Sequence, residues 1–476
     1  MRIWEIVLIL GVLVSEILVI TENKNPVKAL TWIMVLTLLP GVGLLLYFLI
    51  GKDFRSKKLI SAENYARLLQ ARNAVGHDVT PEELEDDRYA KLAHMMETTN
   101  AVLPQSDNNV SLYTSFDAMF AALKRDILAA KHHVHIFSFI LEDDQVGNDL
   151  VDLLAEKVRQ GVSVRVMYDG AGNFAVRRSF YGRLRQQGIE VAGFLTFWHS
   201  VVTRDANCRN HRKIAIVDGL VGYTGGMNIA DRYSKGLHFG IWRDTHVRIE
   251  GPAVGQMQTV FLTDWNFCTR QLLDEAVFFP DALPRTTADD AVPGVTCQVV
   301  SSGPMERWDS VMLGMVQIVA QSRRYLYWQS PYFVPTEAVL LALRNAALGG
   351  VDVRLMVPAR PDRGVLTAWA TRSYFNDVLE AGVKVYLYEK GYMHAKTLVC
   401  DGCFATVGST NIDVRSLEQH FEVNAFFYNH EIAERMTSVF LADAQDCVQI
   451  DAEQWFRRPR WTRFWEAVAR LFSPLL

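Results

Sequence analysis

The first fifty residues contain two apolar runs separated by a short polar stretch. Residues 3–20 and 30–50 are almost wholly apolar, and the segment TENKNPVKA lies between them. At 1.5 Å rise per residue, a helix over the second run would be about 31 Å long, enough to cross the hydrocarbon core of a bilayer. Glu16 interrupts the first run, and Pro40 should kink the second. We therefore predict a two-helix transmembrane hairpin over residues 1–51.

Positive charge flanks this hairpin unequally. The cations after the second run outnumber those in the connecting stretch: Lys52, Arg55, Lys57 and Lys58 against Lys24 and Lys28. Loops rich in Lys and Arg stay on the cytoplasmic side of a membrane. Both ends of the hairpin are therefore predicted to be cytoplasmic, with a polar helical connector over residues 52–108.

From residue 109 the pattern alternates between amphipathic helical stretches and short, nearly all-apolar strands. The order occurs twice, and RQGVSVRVMYDG in the first copy aligns with LGGVDVRLMVPA in the second. Such strands are typical of a sheet covered by helices on both faces. We predict an α/β fold whose two similar halves, residues 109–285 and 286–450, each contain a mixed, mostly parallel sheet. Residues 451–476 form a final segment rich in Arg and Trp.

Composition narrows the range of functions. The net charge is −4 and the pI is about 6.3, which argues against a protein that binds nucleic acid through a large basic surface. Six cysteines in 476 residues do not make a disulfide framework. Cys400 and Cys403 flank an Asp-Gly turn between strands, and this setting lacks the helix N-terminus of a reactive cysteine pair.

Each half contains the same polar signature, H-x-K-x4-D-x6-G-[GS]-x-N. It reads NHRKIAIVDGLVGYTGGMN in the first half and MHAKTLVCDGCFATVGSTN in the second. Alternation along a strand places the His and the Lys on one face, and the glycines let a ligand approach the backbone. A single H-x-K pair is typical of any surface strand. The whole pattern occurring twice indicates a functional site.

The chemistry of these residues suits a phosphodiester. The candidates are His211, Lys213, Asp218, Gly226 and Asn228 in the first copy, and His394, Lys396, Asp401, Ser409 and Asn411 in the second. Two ammonium groups and two amides can bind a phosphodiester without a metal. The two imidazoles then remain free, one as a nucleophile and one as an acid and base. A metal site is the alternative, but each motif places a cation beside it, so we expect no metal and no cofactor.

These paired motifs resemble those of the phospholipase D superfamily, and other segments narrow the resemblance to the bacterial cardiolipin synthases. Those segments are the apolar stretch LLPGVGLLLYFLIG, the sequence PYFVP at 331–335, IDVRSL after the second motif, and the tail ending in FSPLL. The resemblance implies that two halves with pseudo-twofold symmetry bring both motifs to one site. It also implies a multi-pass inner-membrane phosphatidyltransferase, which makes cardiolipin and glycerol from two molecules of phosphatidylglycerol.

The same resemblance assigns roles. His211 is the nucleophile that forms a phosphatidyl-histidine, and His394 is the acid and base. The residues around the phosphate are Lys213, Asn228, Lys396 and Asn411. The near-symmetry of the motifs leaves an exchange of the two histidine roles open. The alternative functions are a phospholipid hydrolase, a nuclease of the same superfamily and a non-catalytic membrane scaffold.

Four acidic residues accompany the motifs. Asp218 and Asp401 are expected to hold the strand turns rather than to carry protons. Each histidine also needs a partner for its other ring nitrogen. The resemblance points to Asp244 in WRDTH and Glu422 in HFEVN for this purpose, and a solvated or salt-bridged acid is the alternative.

Two aromatic stretches each permit two interpretations. The segment GFLTFWHSVV at 193–202 is either a core strand or a loop that enters lipid beside the site. The tail WFRRPRWTRFWEAVARLFSPLL is either an interfacial helix on anionic phospholipid or a helix docked on the body.

Overall fold

The predicted α/β architecture is confirmed, with N-terminal apolar helices ahead of two similar halves. The computed structural model describes residues 3–22, 26–50, 58–73, 78–84, 86–195, 208–281, 290–362 and 364–475.

Three apolar helices come first: α1 (Ile3–Glu22), α2 (Pro26–Leu38) and α3 (Pro40–Ile50). Within the described part of the chain, α1 is the one helix long and apolar enough to cross a membrane, over Ile3–Thr21. It packs against its neighbours, and Thr37 donates a hydrogen bond to Glu16 Oε1 at 2.9 Å. The acidic side chain in the first apolar run is thereby paired within the helical cluster.

The second apolar run is divided into two helices rather than forming one kinked spanning helix. The rings of Trp32 and Tyr47 lie 5.4 Å apart between centroids, whereas a continuous helix would separate these residues by about 22 Å along its axis. The chain bends before Pro40. Gly43 packs against the Val35 carbonyl, where a Cβ would lie 2.6 Å from the oxygen. α2 and α3 therefore fold toward each other, and each alone is too short to cross a bilayer.

The connector is part of the folded body. Its described helices are α4 (Ala62–Asn73) and α5 (Asp87–Asn100). Asp86 caps α5 by accepting a hydrogen bond from the Arg88 N–H at 2.8 Å. The Tyr89 hydroxyl donates to the Cys403 carbonyl at 2.7 Å. The connector thus contacts the second half directly.

The first half alternates helices and strands as its sequence predicts. Its strands are β1 (Gln105–Tyr113), β2 (His133–Ser138), β3 (Ser163–Asp169), β4 (Glu190–Phe194), β5 (Arg209–Asn210), β6 (Lys213–Val217), β7 (Val221–Gly225), β8 (Ile241–Arg243) and β9 (His246–Glu250). Its helices are α6 (Phe116–Ala129), α7 (Gln145–Arg159), α8 (Arg178–Gln186), α9 (Asp231–Lys235) and α10 (Val254–Thr269).

The second half repeats this order and adds a C-terminal helical segment. Its strands are β10 (Val292–Ser302), β11 (Tyr325–Gln329), β12 (Phe333–Val334), β13 (Asp352–Pro358), β14 (Lys384–Tyr388), β15 (Gly391–Met393), β16 (Thr397–Cys400), β17 (Phe404–Gly408), β18 (Ile412–Asp413), β19 (His420–Tyr428) and β20 (Cys447–Gln449). Its helices are α11 (Ser310–Gln321), α12 (Glu337–Leu348), α13 (Val365–Glu380), α14 (Val414–Glu418), α15 (His430–Ala444), α16 (Ala452–Phe456) and α17 (Arg460–Arg470).

One mixed sheet runs through both halves. In the described part of the chain its order is β20-β14-β13-β11-β16-β17-β19-β10-β1-β9-β7-β6-β2-β3-β4. β1 and β10 are antiparallel neighbours at the centre. The outer strands β2-β3-β4 and β11-β13-β14 are parallel, because helices cross over between them. The inner strands β6-β7 and β16-β17 are antiparallel hairpins. The two halves therefore share a sheet, with pseudo-twofold symmetry about β1 and β10.

The segment GFLTFWHSVV begins in the core. Phe194 ends β4 and is fully buried, and Leu195 is also buried. Residues 196–202 lie outside the described residues, so the interpretation of Phe197 and Trp198 as lipid-contacting stays a prediction.

Candidate active site

Each motif runs along a β-hairpin beside the centre of the sheet. In the first motif β6 leads to the turn at Asp218 and β7 returns, and in the second β16, Asp401 and β17 do the same. His211 and His394 precede these hairpins, and each follows a strand of two or three residues, β5 or β15. The two histidines therefore occupy equivalent positions in the two halves.

The short strands β5 and β15 each pair with the opposite half. β5 pairs in parallel with the start of β19, and the His211 N–H donates to the Phe421 carbonyl at 2.9 Å. β15 pairs in parallel with β8, and the His394 N–H donates to the Arg243 carbonyl at 2.7 Å. The backbone of each half thus positions the histidine of the other.

The acidic side chains make the same exchange between halves. His211 Nδ1 lies 3.0 Å from Glu422 Oε1 and 3.1 Å from the Ser409 carbonyl oxygen. His394 Nδ1 lies 2.6 Å from Asp244 Oδ2. A carbonyl only accepts hydrogen bonds, so His211 carries its proton on Nδ1 and its Nε2 lone pair is free. Asp244 and Glu422 are thus brought to the motifs, each beside the histidine of the other half.

The two motifs differ at one position of the shared signature, which is Gly226 in the first and Ser409 in the second, and this difference in size accompanies the difference in length between Asp244 and Glu422. Ser409 Oγ donates to Glu422 Oε2 and accepts from the Val423 N–H at 3.0 Å. At the equivalent Gly226, a Cβ would lie 2.0 Å from Asp244 Oδ1. The shorter acid approaches this backbone so closely that a side chain would collide with it. The longer acid leaves room for a hydroxyl group.

Both motif lysines are buried and turn back toward the preceding histidine. Lys213 Nζ donates to the His211 carbonyl at 2.6 Å. Lys396 Nζ donates to the His394 carbonyl and lies 3.0 Å from His394 Nδ1. Because a buried ammonium group needs an anionic or strongly polar partner, these lysines favour an anion in the site.

Burial controls the ionisation of the site. It lowers the pKa of His394 to about 4 and the pKa of Lys396 to about 8. Burial, together with Lys213, also lowers the pKa of His211, and His394 and Lys396 lower it further. The charged groups of the second motif therefore act on the histidine of the first across the two halves.

The two acids differ in ionisation. Burial raises the pKa of Glu422 to about 8. Burial acts on Asp244 in the same direction, but Lys396 and His394 outweigh it and hold the pKa of Asp244 below its ordinary value. At neutral pH His394 therefore faces an ionised carboxylate, whereas the acid beside His211 is largely protonated.

The motif asparagines differ in their contacts. Asn228 Oδ1 accepts from the Ile140 N–H at 3.1 Å, and its amide group donates to the Tyr233 hydroxyl. The Tyr233 ring in turn lies 5.9 Å from the His394 ring. Asn411 Oδ1 has no hydrogen-bond partner among the described residues. Asn228 thus braces the wall of the site, and Asn411 retains a free acceptor.

The sequence alone did not identify the aromatic side chains that pack against the two histidines. The Phe139 ring lies 4.7 Å from the His211 ring, and the rings of Trp242 and Tyr392 lie 4.9 and 5.9 Å from the His394 ring. The side chains of His211 and His394 are consequently only 10% and 9% exposed. Trp242 precedes Asp244 by two positions, and Tyr392 precedes His394 by two. The two-residue alternation of a strand could have indicated both.

Sequence reasoning also missed Arg212, the variable position inside the first H-x-K. Its guanidinium group donates to Asp264 at 2.7 and 2.9 Å and to the Glu422 carbonyl at 3.1 Å. Alternation points it away from the face that carries His211 and Lys213. Arg212 therefore fixes the first motif against the strand of the opposite half from behind.

Asp218 and Asp401 do not join the catalytic cluster. Each lies five residues along its strand from the motif lysine, or about 17 Å at ordinary strand spacing. Asp218 accepts from the backbone N–H groups of residues 131–133 at 2.7–2.9 Å, and Asp401 accepts from those of 323–325 at 2.8–2.9 Å. Each ties the loop before β2 or β11 to the motif hairpin of its own half. These contacts agree with the expectation that both aspartates hold strand turns rather than carry protons.

The chain is similar to several known proteins. Residues 123–265 and 315–444 match a family model described as cardiolipin synthase, PLD-like domain, and residues 7–52 match one described as phospholipase D-nuclease N-terminal. The chain is 37% identical to the major cardiolipin synthase of Bacillus subtilis (strain 168) and 36% identical to the cardiolipin synthase of Oceanobacillus iheyensis, over 98% of each chain in both cases. The phosphatidylserine synthase of Haemophilus influenzae Rd KW20 aligns with a TM-score of 0.59 at 13% identity, over 81% of this chain and 100% of that one. This last likeness shows the fold alone.

The first prediction separates the motif aspartates from the catalytic cluster. Asp218→Ala should lower the free energy of unfolding by at least about 2 kcal/mol, because it leaves several backbone N–H groups without an acceptor. The specific activity of the folded fraction should stay within about threefold of the wild type. Thermal melts in detergent and activity per folded molecule measure both quantities. Asp152→Ala, at an exposed position, is the matched control and should change stability by less than about 0.5 kcal/mol. A stable but inactive Asp218→Ala protein would contradict the structural role.

Proposed function

The chain belongs to the cardiolipin synthase family of phospholipase D-like proteins, and on this premise we propose that it makes cardiolipin and glycerol from two molecules of phosphatidylglycerol. One observation carries the proposal. Two enclosed imidazoles each have Nδ1 held by an acid of the opposite half, and a buried lysine stands beside each. A phosphodiester between them can be attacked on one side and protonated on the other.

In the first step His211 Nε2 attacks the phosphorus of the donor lipid. The P–O bond to the glycerol headgroup breaks, and the proton on His394 Nε2 moves to the departing oxygen, so that glycerol leaves. Lys213 and Lys396 stabilise the negative charge on the phosphoryl oxygens. The phosphatidyl group is then attached to His211.

In the second step a headgroup hydroxyl of another phosphatidylglycerol occupies the position that glycerol has left. His394 Nε2 removes its proton, the hydroxyl oxygen attacks phosphorus, and the P–N bond to His211 breaks. Cardiolipin leaves, and both imidazoles return to their starting protonation states.

The ionisation of the two acids supports this assignment of roles. A general acid must hold a proton when the leaving group departs, and the ionised Asp244 acts to raise the pKa of His394 against the burial and the Lys396 charge that lower it to about 4. On this proposal His394 takes up its proton as the anionic phosphodiester binds beside it. A nucleophile must be uncharged, and the raised pKa of Glu422 leaves His211 beside a largely neutral acid. The free Nε2 of His211 is thus suited to attack, and His394 is suited to donate.

The enclosure of the site favours transfer over hydrolysis. Phe139, Trp242 and Tyr392 surround the two histidines and leave little of either exposed. Because water must compete with a lipid hydroxyl for the phosphatidyl group, a site that restricts water favours the lipid acceptor. The net charge of −4 likewise favours an anionic phospholipid held by a few buried cations over nucleic acid bound by a basic surface.

We propose that the chain divides into five parts, which are residues 1–51, 52–108, 109–285, 286–450 and 451–476. The two segments that match the phospholipase D-like family model fall within the third and fourth parts, and the N-terminal match coincides closely with the first.

The second prediction concerns the products. Purified full-length protein given phosphatidylglycerol labelled in its acyl chains and headgroup should form cardiolipin and free glycerol in equal amounts, with phosphatidic acid below about a tenth of the product. His211→Ala and His394→Ala should each lose at least about 100-fold in activity, because each removes a chemical participant. Asp152→Ala is the control for purification and folding.

The trapped intermediate tests the roles of the histidines. Rapid denaturing quench should leave acyl-chain label on the wild-type protein and none on His211→Ala. Label on His211→Ala that is absent from His394→Ala would reverse the roles. Phosphatidic acid as the main product would identify a hydrolase instead.

The third prediction concerns pH. The pKa values of about 8 for Lys396 and Glu422 mean that positive charge is lost and negative charge is gained as pH rises past that value. Both changes weaken binding of an anionic headgroup. kcat/KM should therefore fall above about pH 8, by about tenfold per pH unit for one proton. Lys396→Arg, which keeps its charge, should show a shallower alkaline fall relative to its own maximum. A wild-type profile that stays flat to pH 10 would contradict the proposal.

The N-terminal family match and the apolar helix α1 associate the protein with a membrane. We propose a multi-pass protein of the bacterial inner membrane with its catalytic body in the cytoplasm. The four cations between residues 52 and 58 support this orientation. The bend before Pro40 favours a second arrangement, in which α2 and α3 enter the bilayer together and leave on the same side.

The fourth prediction decides between these topologies. A membrane-impermeant maleimide should label Lys24→Cys in intact spheroplasts, because two crossings would place this residue outside. Lys58→Cys should be labelled only after permeabilisation, and the unmodified chain sets the background from its six natural cysteines. If Lys24→Cys is protected and a cysteine at the N-terminus is labelled, α1 alone crosses and the multi-pass proposal is wrong.

A further inference from the structure

The C-terminal helix α17 is fixed to the body by one side. Glu466 is buried and accepts hydrogen bonds from Arg458 at 2.7 and 2.9 Å. Arg470 donates to Asp377 of α13 at 2.7 Å, and its guanidinium carbon lies 4.0 Å from the centre of the Tyr374 ring. These contacts hold α17 against α13 in one orientation. The docked-helix interpretation of the tail therefore describes this side of the helix.

The opposite side of α17 presents large aromatic residues to solvent. Trp461, Phe464 and Trp465 are 68%, 52% and 39% exposed. Their rings contact one another, with centroid separations of 5.5 Å. Because these exposed rings form one cluster, they constitute a continuous apolar surface rather than scattered exposed residues.

This surface extends beyond the helix. The Trp465 ring stacks on Trp369 of α13 at 6.4 Å. Val365 and Leu366, in the first turn of α13, are exposed, as are Leu471 and Phe472 after α17. We use the name aromatic face for the set Trp461, Phe464, Trp465, Val365, Leu366, Leu471 and Phe472.

Arginines accompany the aromatic face. Arg460 and Arg463 are exposed, and neither makes an ion pair within the described part of the chain. Trp and Arg together are the residues that favour the headgroup region of an anionic bilayer, where rings reach the acyl boundary and guanidinium groups bind phosphate. A second copy of the chain fits less well, because a twofold contact would bring these arginines together.

α13 connects the aromatic face to the catalytic site. Thr371 and Phe375 on this helix line a narrow groove together with Pro331 and Tyr392. The Tyr392 ring lies 5.9 Å from the ring of His394. One helix therefore borders both the aromatic face and the groove beside the proposed general acid.

We propose that the aromatic face docks on the headgroup region of an anionic bilayer, as an attachment separate from the N-terminal helices, and brings the groove beside Tyr392 close to the lipid headgroups. The attachment requires no catalytic turnover, so it is tested independently of the proposed activity.

Photo-crosslinking in the full-length protein tests this docking. p-Benzoylphenylalanine in place of Phe464 should form adducts with radiolabelled phospholipid in proteoliposomes that contain phosphatidylglycerol, with at least about fivefold lower yield when the lipid is phosphatidylcholine alone. The same probe in place of Leu348, which is more exposed than Phe464 and lies at the end of α12, should give few adducts with either lipid. Equal yields at the two positions, or crosslinks between two protein chains in place of lipid adducts, would overturn the proposal.

Charge reversal provides the second measurement. Arg460→Glu combined with Arg463→Glu should reduce lipid adducts at position 464 by at least about fivefold and reduce turnover on vesicles, while turnover in detergent micelles and the melting temperature stay unchanged. Lys91→Glu combined with Arg125→Glu makes the same change of charge at exposed positions on α5 and α6 and should have neither effect. Adduct yields unaffected by the α17 reversal would exclude the electrostatic part of the proposal and overturn it in this form.

Discussion

Glu422 and Asp244 cross between the two halves to hold His211 and His394, and the rest of the site depends on that exchange. The backbone also links the two halves at the site, since each histidine N–H donates to a carbonyl of the opposite half. Neither half alone can orient its own imidazole. The continuous sheet explains how this arrangement stays rigid, because β1 and β10 join the halves through a ladder of hydrogen bonds.

Two buried ion pairs reinforce the exchange from behind the site. Arg212 binds Asp264 of α10, and Arg243 binds Asp443 of α15 at 2.7 and 2.8 Å. Each arginine adjoins a residue that takes part in the exchange. A buried ion pair contributes little net stability, but the loss of one partner leaves an uncompensated charge and costs about 3–5 kcal/mol. The Arg243–Asp443 pair joins the two halves, so an arrangement that separates them would break it. The Arg212–Asp264 pair lies within the first half and fixes the guanidinium group that donates to the Glu422 carbonyl of the second half.

The repeated motif and the alternation of strands and helices made much of this architecture predictable. The shared face of His211 and Lys213 follows from the two-residue period of a strand, and so does that of His394 and Lys396. The pairing of β5 and β15 with strands of the opposite half was not predictable. β5, β8 and β15 have only two or three residues and give no periodic signal. The bend between α2 and α3 was underestimated because hydropathy records composition, not the close packing of Gly43 on Val35.

A site built from two similar halves must still give its two histidines different roles, since one must attack while the other donates a proton. The residue types that break the symmetry are Asp244 opposite Gly226 and Glu422 opposite Ser409. The short acid lies against glycine and is kept ionised by Lys396 and His394, whereas burial holds the longer acid largely neutral. The proposed assignment of acid to His394 and nucleophile to His211 thus follows from a local difference in side-chain length and charge, imposed on a backbone that is nearly symmetric.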